Sequence, residues 1–329
     1  MQTIRPAAFI ALTLTTLLLQ ACSQEAPIQS EPVTEAPPPE TTTSVYDWHA
    51  RGVPAGETTI ERAGDGRVTT EAFVHWNNRE YRLQSELQLD ADGMVISQQI
   101  SGVSPFGATV NESFTYADGE ANWRTMGESG SAQSSRAAFY VPTEWGAVGS
   151  MEALVRAASK QIGGELALFP AGAARVEKLT DTTVPTPSGE ATLSLYAISG
   201  IDFSPIFAWF DDDMMLAARD LGRMGMLPQG WDPAILEALA SIQGEQNALR
   251  AERLSNELAN RVDGTVVIDN VGIIDVASGE LLPNHSVVVK FGKITDISAE
   301  PIEMEDAEHI DGSGKYLVPG LWDMHGHFS

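Results

Sequence analysis

His325 and His327 lie one residue apart near the end of the sequence. Side chains along a strand repeat every two residues, so both imidazoles face the same way. Two neutral imidazoles on one face begin a divalent-metal site. Asp323 shares their parity. It can be read as a further ligand, as an acceptor that orients a ligating imidazole, or as a strand cap. The plain alternative is a chance His-x-His in an exposed terminus. The other residue able to carry distinctive chemistry is Cys22, the single cysteine, which leaves no partner for an internal disulfide.

Cys22 closes Leu19-Gln20-Ala21-Cys22, after Arg5 and the apolar run Ala7–Leu19. That run is too short to span a bilayer comfortably, and small Ala21 marks a processing point. Leu-x-Ala-Cys in this setting resembles the bacterial lipobox, in which the cysteine is lipidated and becomes the mature N-terminus. The resemblance implies a signal peptide over 1–21, a lipid anchor at Cys22 and a place in the bacterial cell envelope, at the periplasmic face of the outer membrane. An ordinary secretory signal is the alternative. Residues 22–44, rich in Pro, Thr and Glu, read as a disordered tether, because they cannot bury enough apolar surface to fold.

The 329 residues carry 20 Lys+Arg against 45 Asp+Glu, a net charge of −25. This argues against nucleic acid, which needs clustered cations, and against electrostatic adhesion to anionic lipid. Membrane attachment would therefore run through the lipid at Cys22. Hydrophobic residues at 43% are enough for a packed core.

Residues 45–261 read as a β-rich α+β domain of unassigned role. Tyr81, Leu83, Leu87 and Leu89 alternate with polar residues, as do Val110, Phe114 and Tyr116. Asp65-Gly66, Asp92-Gly93 and Asp118-Gly119 are turn signals, because Gly accepts positive φ. A helix is expected over Met151–Gln161, capped by Ser150, and a second from Asp232-Pro233 along Ile235, Leu236, Leu239 and Ile242, continuing through Leu249, Leu254 and Leu258. Strands return at Glu190–Ile198 and Ile206–Phe210. Asp211-Asp212-Asp213 reads as a solvated turn before a cation site. His49 and His75 stand alone, and no spacing in this region suggests a nucleophile, a phosphate loop or a metal cage.

The texture changes at Asp263-Gly264, with β-rich pieces at Thr265–Ile268, Val271–Val276, Ser286–Lys290 and Ile294–Ile297. Residues 265–328 resemble the opening of the amidohydrolase superfamily, in the manner of imidazolonepropionase-like metal-dependent hydrolases. The residues that carry the resemblance are the strand Asn270–Asp275, Gly292-Lys293-Ile294 with Ile297, Ile310-Asp311 with Gly314-Lys315, and Val318-Pro319-Gly320-Leu321-Trp322-Asp323-Met324-His325-Gly326-His327. Trp322 stands where an aliphatic residue is commoner.

The resemblance implies a small, incomplete β-sandwich over 262–316, then the first strand of a truncated (β/α)₈ barrel over 317–329. A complete barrel needs ~250 residues. His325 and His327 would hold one or two divalent ions, zinc foremost, with Asp323 behind them. The remaining ligands and the catalytic Asp would come from later strands, so no catalytic residue is assigned. The implied activity is hydrolysis of a C–N bond in a small cyclic amide, amidine or N-acyl substrate, with this chain as the N-terminal part of the enzyme and incompetent alone. The rival expectation is an envelope lipoprotein whose β-rich region binds a partner or an apolar ligand, with a vestigial metal site.

Overall fold

The computed structural model describes residues 40–134, 138–144, 147–219, 224–259, 262 and 264–322. The strands in chain order are β1 (Thr41–Ala50), β2 (Val53–Ala63), β3 (Arg67–Trp76), β4 (Arg79–Leu89), β5 (Val95–Val103), β6 (Thr109–Ala117), β7 (Glu120–Arg124), β8 (Ser129–Gln133), β9 (Phe139–Tyr140), β10 (Glu165–Phe169), β11 (Ala173–Thr186), β12 (Gly189–Ser199), β13 (Ile206–Phe210), β14 (Leu216–Arg219), β15 (Met224–Pro228), β16 (Thr265–Asp275), β17 (Glu280–Lys290), β18 (Lys293–Ser298), β19 (Ala307–Asp311) and β20 (Tyr316–Leu317). The helices are α1 (Val148–Ala158) and α2 (Ala234–Leu258).

Fifteen strands form one sheet in the order β8-β7-β6-β5-β4-β3-β2-β1-β15-β14-β13-β12-β11-β10-β9. It consists of two antiparallel meanders, β1–β8 and β10–β15, sewn together where β1 pairs with β15, Tyr46 opposite Pro228. Short β9 adds in parallel to β10. The period-two pattern is plain in β4, where Tyr81, Leu83 and Leu87 are buried and the residues between them exposed. Asp118 and Gly119 both take positive φ in the two-residue turn between β6 and β7, the geometry that matches strand twist. β1 includes Thr41–Ser44, the last four residues of the stretch read as a tether, because the β-branched threonines pair along β2 from Ala63 to Glu61.

Helix α1 lies against the sheet with Val148, Leu154, Val155 and Ala158 buried. It touches both β3 and β11, which are far apart in the strand order, so the sheet curves around it. Gly149 permits the approach: a side chain there would meet Thr70 Oγ1 at 2.6 Å. Ser150 does not cap this helix. It sits within the first turn, and its hydroxyl accepts a hydrogen bond from Gln98 Nε2 at 2.5 Å. The N-terminal half of α2 covers a second core with Ile235 and Leu239, packed near Leu193, Leu195, Trp209 and Leu227. Leu249 and Leu258, expected to extend its apolar stripe, are exposed. That end of α2 is held instead by Arg250 and Arg253, which both reach Glu177.

The remaining strands form a five-stranded sheet ordered β18-β17-β16-β19, with β20 also pairing β16. Among the described residues no ladder joins it to the larger sheet.

The expected fold class requires correction. The chain is predominantly β, built on the 15-stranded sheet, rather than mixed α+β. Residues 265–317 form one sheet among the described residues, not two layers. No feature of a (β/α)₈ barrel is present among the described residues. Leu317, expected to open its first strand over 317–329, instead joins Tyr316 in pairing in parallel along Gly272–Ile273 of β16, and 318–322 are not strand. The physical reason is that Tyr316 and Leu317 extend the edge already opened by β19, whose ladder runs in parallel along the same side of β16.

Candidate functional site

His325, His327 and Asp323 lie outside the described residues, as does Cys22. The structure places their neighbourhood as far as Trp322. β16 is the shared support: it carries β19 and then β20, and the chain leaves β20 toward Val318 and Trp322. Leu321 and Trp322 are almost fully exposed. Among the described residues no group of three or more His, Cys, Asp or Glu is placed to hold a metal ion.

The polar cluster that the small sheet does assemble was not anticipated from sequence. Asn270 adopts φ +53° inside β16, and the register with β17 shifts there. Asp269, just before this bulge, accepts from Ser286 Oγ of β17 at 3.2 Å and meets His309 Nδ1 of β19 at 2.6 Å. The other ring nitrogen of His309 faces the Met304 carbonyl at 3.3 Å. Asn270, Asn284 and Glu303 complete a cavity of about 270 Å³ around the three residues. This is not a nucleophilic triad, because Ser286 donates to the carboxylate and not to the imidazole. With an acceptor facing each nitrogen, both contacts favour the protonated ring, and in that form the ring has no lone pair to offer a metal. Forty residues separate Asp269 from His309, so only strand pairing could bring them together.

The hydrogen bond to Asp269, then that to the Met304 carbonyl, raises the His309 pKa above the ordinary histidine value. A raised folded pKa means that this contact stabilises the fold fully below the unfolded value near 6.5, and that the contribution is lost as pH rises through the folded value. NMR titration of His309 is expected to show a midpoint above that of a free histidine, and Asp269→Asn to bring it down. An unshifted midpoint in the parent protein would contradict the contact.

The larger sheet gathers its carboxylates around α1. Glu152 on α1 is buried and receives Arg62 Nε at 2.6 Å and Nη2 at 2.7 Å. Fully buried Glu112 accepts from the Tyr140 hydroxyl at 2.5 Å, the Thr143 hydroxyl at 2.6 Å and the Thr143 N–H at 3.0 Å. Burial and then the Glu112 contact push the Tyr140 phenol far above its usual range. The acidic triplet is a turn, as expected: Asp211 Oδ1 accepts the N–H groups of Asp213 and Met215. His49, which stands alone in the sequence, is buried, and its Nδ1 has no partner among the described residues.

No family model matches the chain. Three curated relatives match part of it, two of them as follows. Adenine deaminase from Ruegeria pomeroyi is 33% identical over 79 residues, 23% of this chain and 13% of that protein. Dihydroorotase from Carboxydothermus hydrogenoformans is 41% identical over 63 residues, 19% of this chain and 14% of that protein. The chain thus spans about one seventh of the length of these relatives. Both belong to the amidohydrolase superfamily and act on C–N bonds. The similarity supports that superfamily for a stretch about the size of residues 265–328, and for no more of the chain. A crystal structure of a beta-barrel-like protein of a domain of unknown function from Brucella abortus aligns with 58% of this chain and 94% of its own, at 14% identity and a TM-score of 0.37.

Proposed function

We propose that residues 265–328 are the opening segment of a metal-dependent amidohydrolase that hydrolyses a C–N bond in a cyclic amide, amidine or N-acyl substrate. The observation that carries this reading is the run Val318-Pro319-Gly320-Leu321-Trp322-Asp323-Met324-His325-Gly326-His327, in a chain that shares 33–41% identity with an adenine deaminase and a dihydroorotase over 63–79 residues. His325 and His327 are the proposed holders of a divalent ion, zinc by preference. When bound, such an ion lowers the pKa of a water and polarises the scissile carbonyl. Asp323 is proposed to orient one of the imidazoles.

Two imidazoles alone fall short of the three protein ligands that a catalytic zinc site uses. The 329-residue chain is therefore expected to bind Zn²⁺ weakly, to lose it to a chelator and to leave adenine and dihydroorotate intact. A protein carrying further ligands beyond residue 329 should bind metal stoichiometrically and hydrolyse a substrate of this class. Both properties should be lost in His325→Ala and in His327→Ala. Unchanged metal content and turnover in the double variant would remove the assignment. The same proposal anchors the protein in the bacterial envelope through lipid on Cys22. Cys22→Ser should move it from the membrane to the soluble fraction, and a variant that still sediments with membranes would place the anchor elsewhere.

A further inference from the structure

The larger sheet contains a cavity of about 480 Å³ beside the first turn of α1, within the size range of small-molecule sites. Its walls are largely apolar, with Met151 and Leu154 from α1, Phe169 from β10 and Ile206 from β13. Glu144 lines it and is only 8% exposed. A carboxylate buried to this degree ordinarily has a cation or several hydrogen-bond donors around it. Neighbouring Glu112 has three such bonds, whereas among the described residues no group donates to the Glu144 carboxyl or forms an ion pair with it. Arg219 also lines the cavity and holds an interaction of its own. Burial, reinforced by the Glu112 charge, raises the pKa of Glu144 above the ordinary carboxylate value.

We propose that this cavity binds an amphipathic amine, with its ammonium group on Glu144 and its apolar body against Met151, Leu154, Phe169 and Ile206. An ammonium supplies the charge-assisted donors that the Glu144 carboxyl lacks among the described residues. The surplus of acidic residues, with a net charge of −25, draws a cation toward the protein in preference to an anion. This inference rests on the large sheet alone and is independent of the hydrolase reading for residues 265–328.

Octylamine, octanol and octanoate share one apolar tail and differ in the head group, so they separate the contributions. With the full chain at neutral pH, calorimetric titration is expected to rank octylamine tightest, with octanol at least about tenfold weaker, the difference that one charge-assisted hydrogen bond makes. Glu144→Gln keeps the shape of the side chain and removes its charge. It should fold with an unchanged or higher Tm, weaken octylamine by about the same factor and leave octanol unaltered. Three results would each overturn the proposal: octanoate binding better than octylamine, equal octylamine affinity in Glu144→Gln and the parent, or no binding of any of the three. If Glu144→Gln fails to fold, Met151→Trp, which fills the cavity, should abolish octylamine binding, and undiminished binding would place the amine elsewhere.

Discussion

Glu152→Ala is expected to lower the stability of the chain by about 3–5 kcal/mol, the cost of breaking a buried ion pair from one side. Arg62 and Glu152 side chains are 10% and 4% exposed, and the guanidinium meets the carboxylate through two nitrogens. Burial works against the Arg62 charge, and the Glu152 hydrogen bonds more than offset it, so the guanidinium stays ionised more firmly than in water. Removing the carboxylate strands that charge in the core. It also orphans the Leu216 N–H of β14, which donates to Glu152 Oε2 at 3.0 Å. The same network takes in Ser44 and Tyr46 of β1, and the Tyr46 hydroxyl donates to the Leu216 carbonyl at 2.7 Å. One residue of α1 therefore ties together strands from both meanders. Thermal unfolding should show the midpoint falling by roughly ten degrees. Arg62→Met combined with Glu152→Leu should recover the part of the loss that comes from the stranded charge, because an apolar pair of similar volume often replaces a buried ion pair without penalty, while the Leu216 N–H stays unpaired. A Glu152→Ala variant within half a kilocalorie of the parent would show that the pair is solvated in solution.

Phe114→Ala is the second change with a large expected effect, about 3–5 kcal/mol for a fully buried aromatic ring. Phe114 of β6 is 1% exposed, stacks on Tyr140 of β9 with centroids 4.4 Å apart and meets Phe169 of β10 at 5.7 Å. Tyr116 reaches the same Phe169 ring at 5.8 Å. β6 lies near one end of the strand order, and β9 and β10 lie at the other, so this aromatic group closes the curve that backbone pairing leaves open. Chemical denaturation should show a lower midpoint. Loss of near-ultraviolet dichroism with retention of far-ultraviolet strand signal would show that β6 has separated from β9 and β10. A value below about 1 kcal/mol would mean that the closure is not formed in solution, because overlapping aromatic contacts alone contribute about that much beyond burial.

Local patterning was legible wherever a few residues decide the outcome. The alternation of Tyr81, Leu83 and Leu87 determines which face of β4 is buried, because the pleat repeats every two residues. Asp118-Gly119 determines a turn, because both positions need positive φ. The apolar face of Leu154, Val155 and Ala158 determines a helix that must bury one side. The His325-x-His327 motif, with the residues leading to it, carries its chemical suggestion in the sequence alone.

Tertiary structure decided everything that depends on distant pairing. β1 and β15 meet although some 180 residues separate Tyr46 from Pro228, and that single ladder turns two meanders into one sheet. No local pattern announces it, since an edge strand and a central strand can share the same alternation. The acidic residues tell the same story. Glu112, Glu144 and Glu152 look like ordinary surface carboxylates in the sequence, and only the curvature of the sheet around α1 buries them. Burial gives Glu152 its arginine, Glu112 its hydroxyls and Glu144 a cavity, because a charge removed from water must find a partner, as the first two have done and the third has not among the described residues.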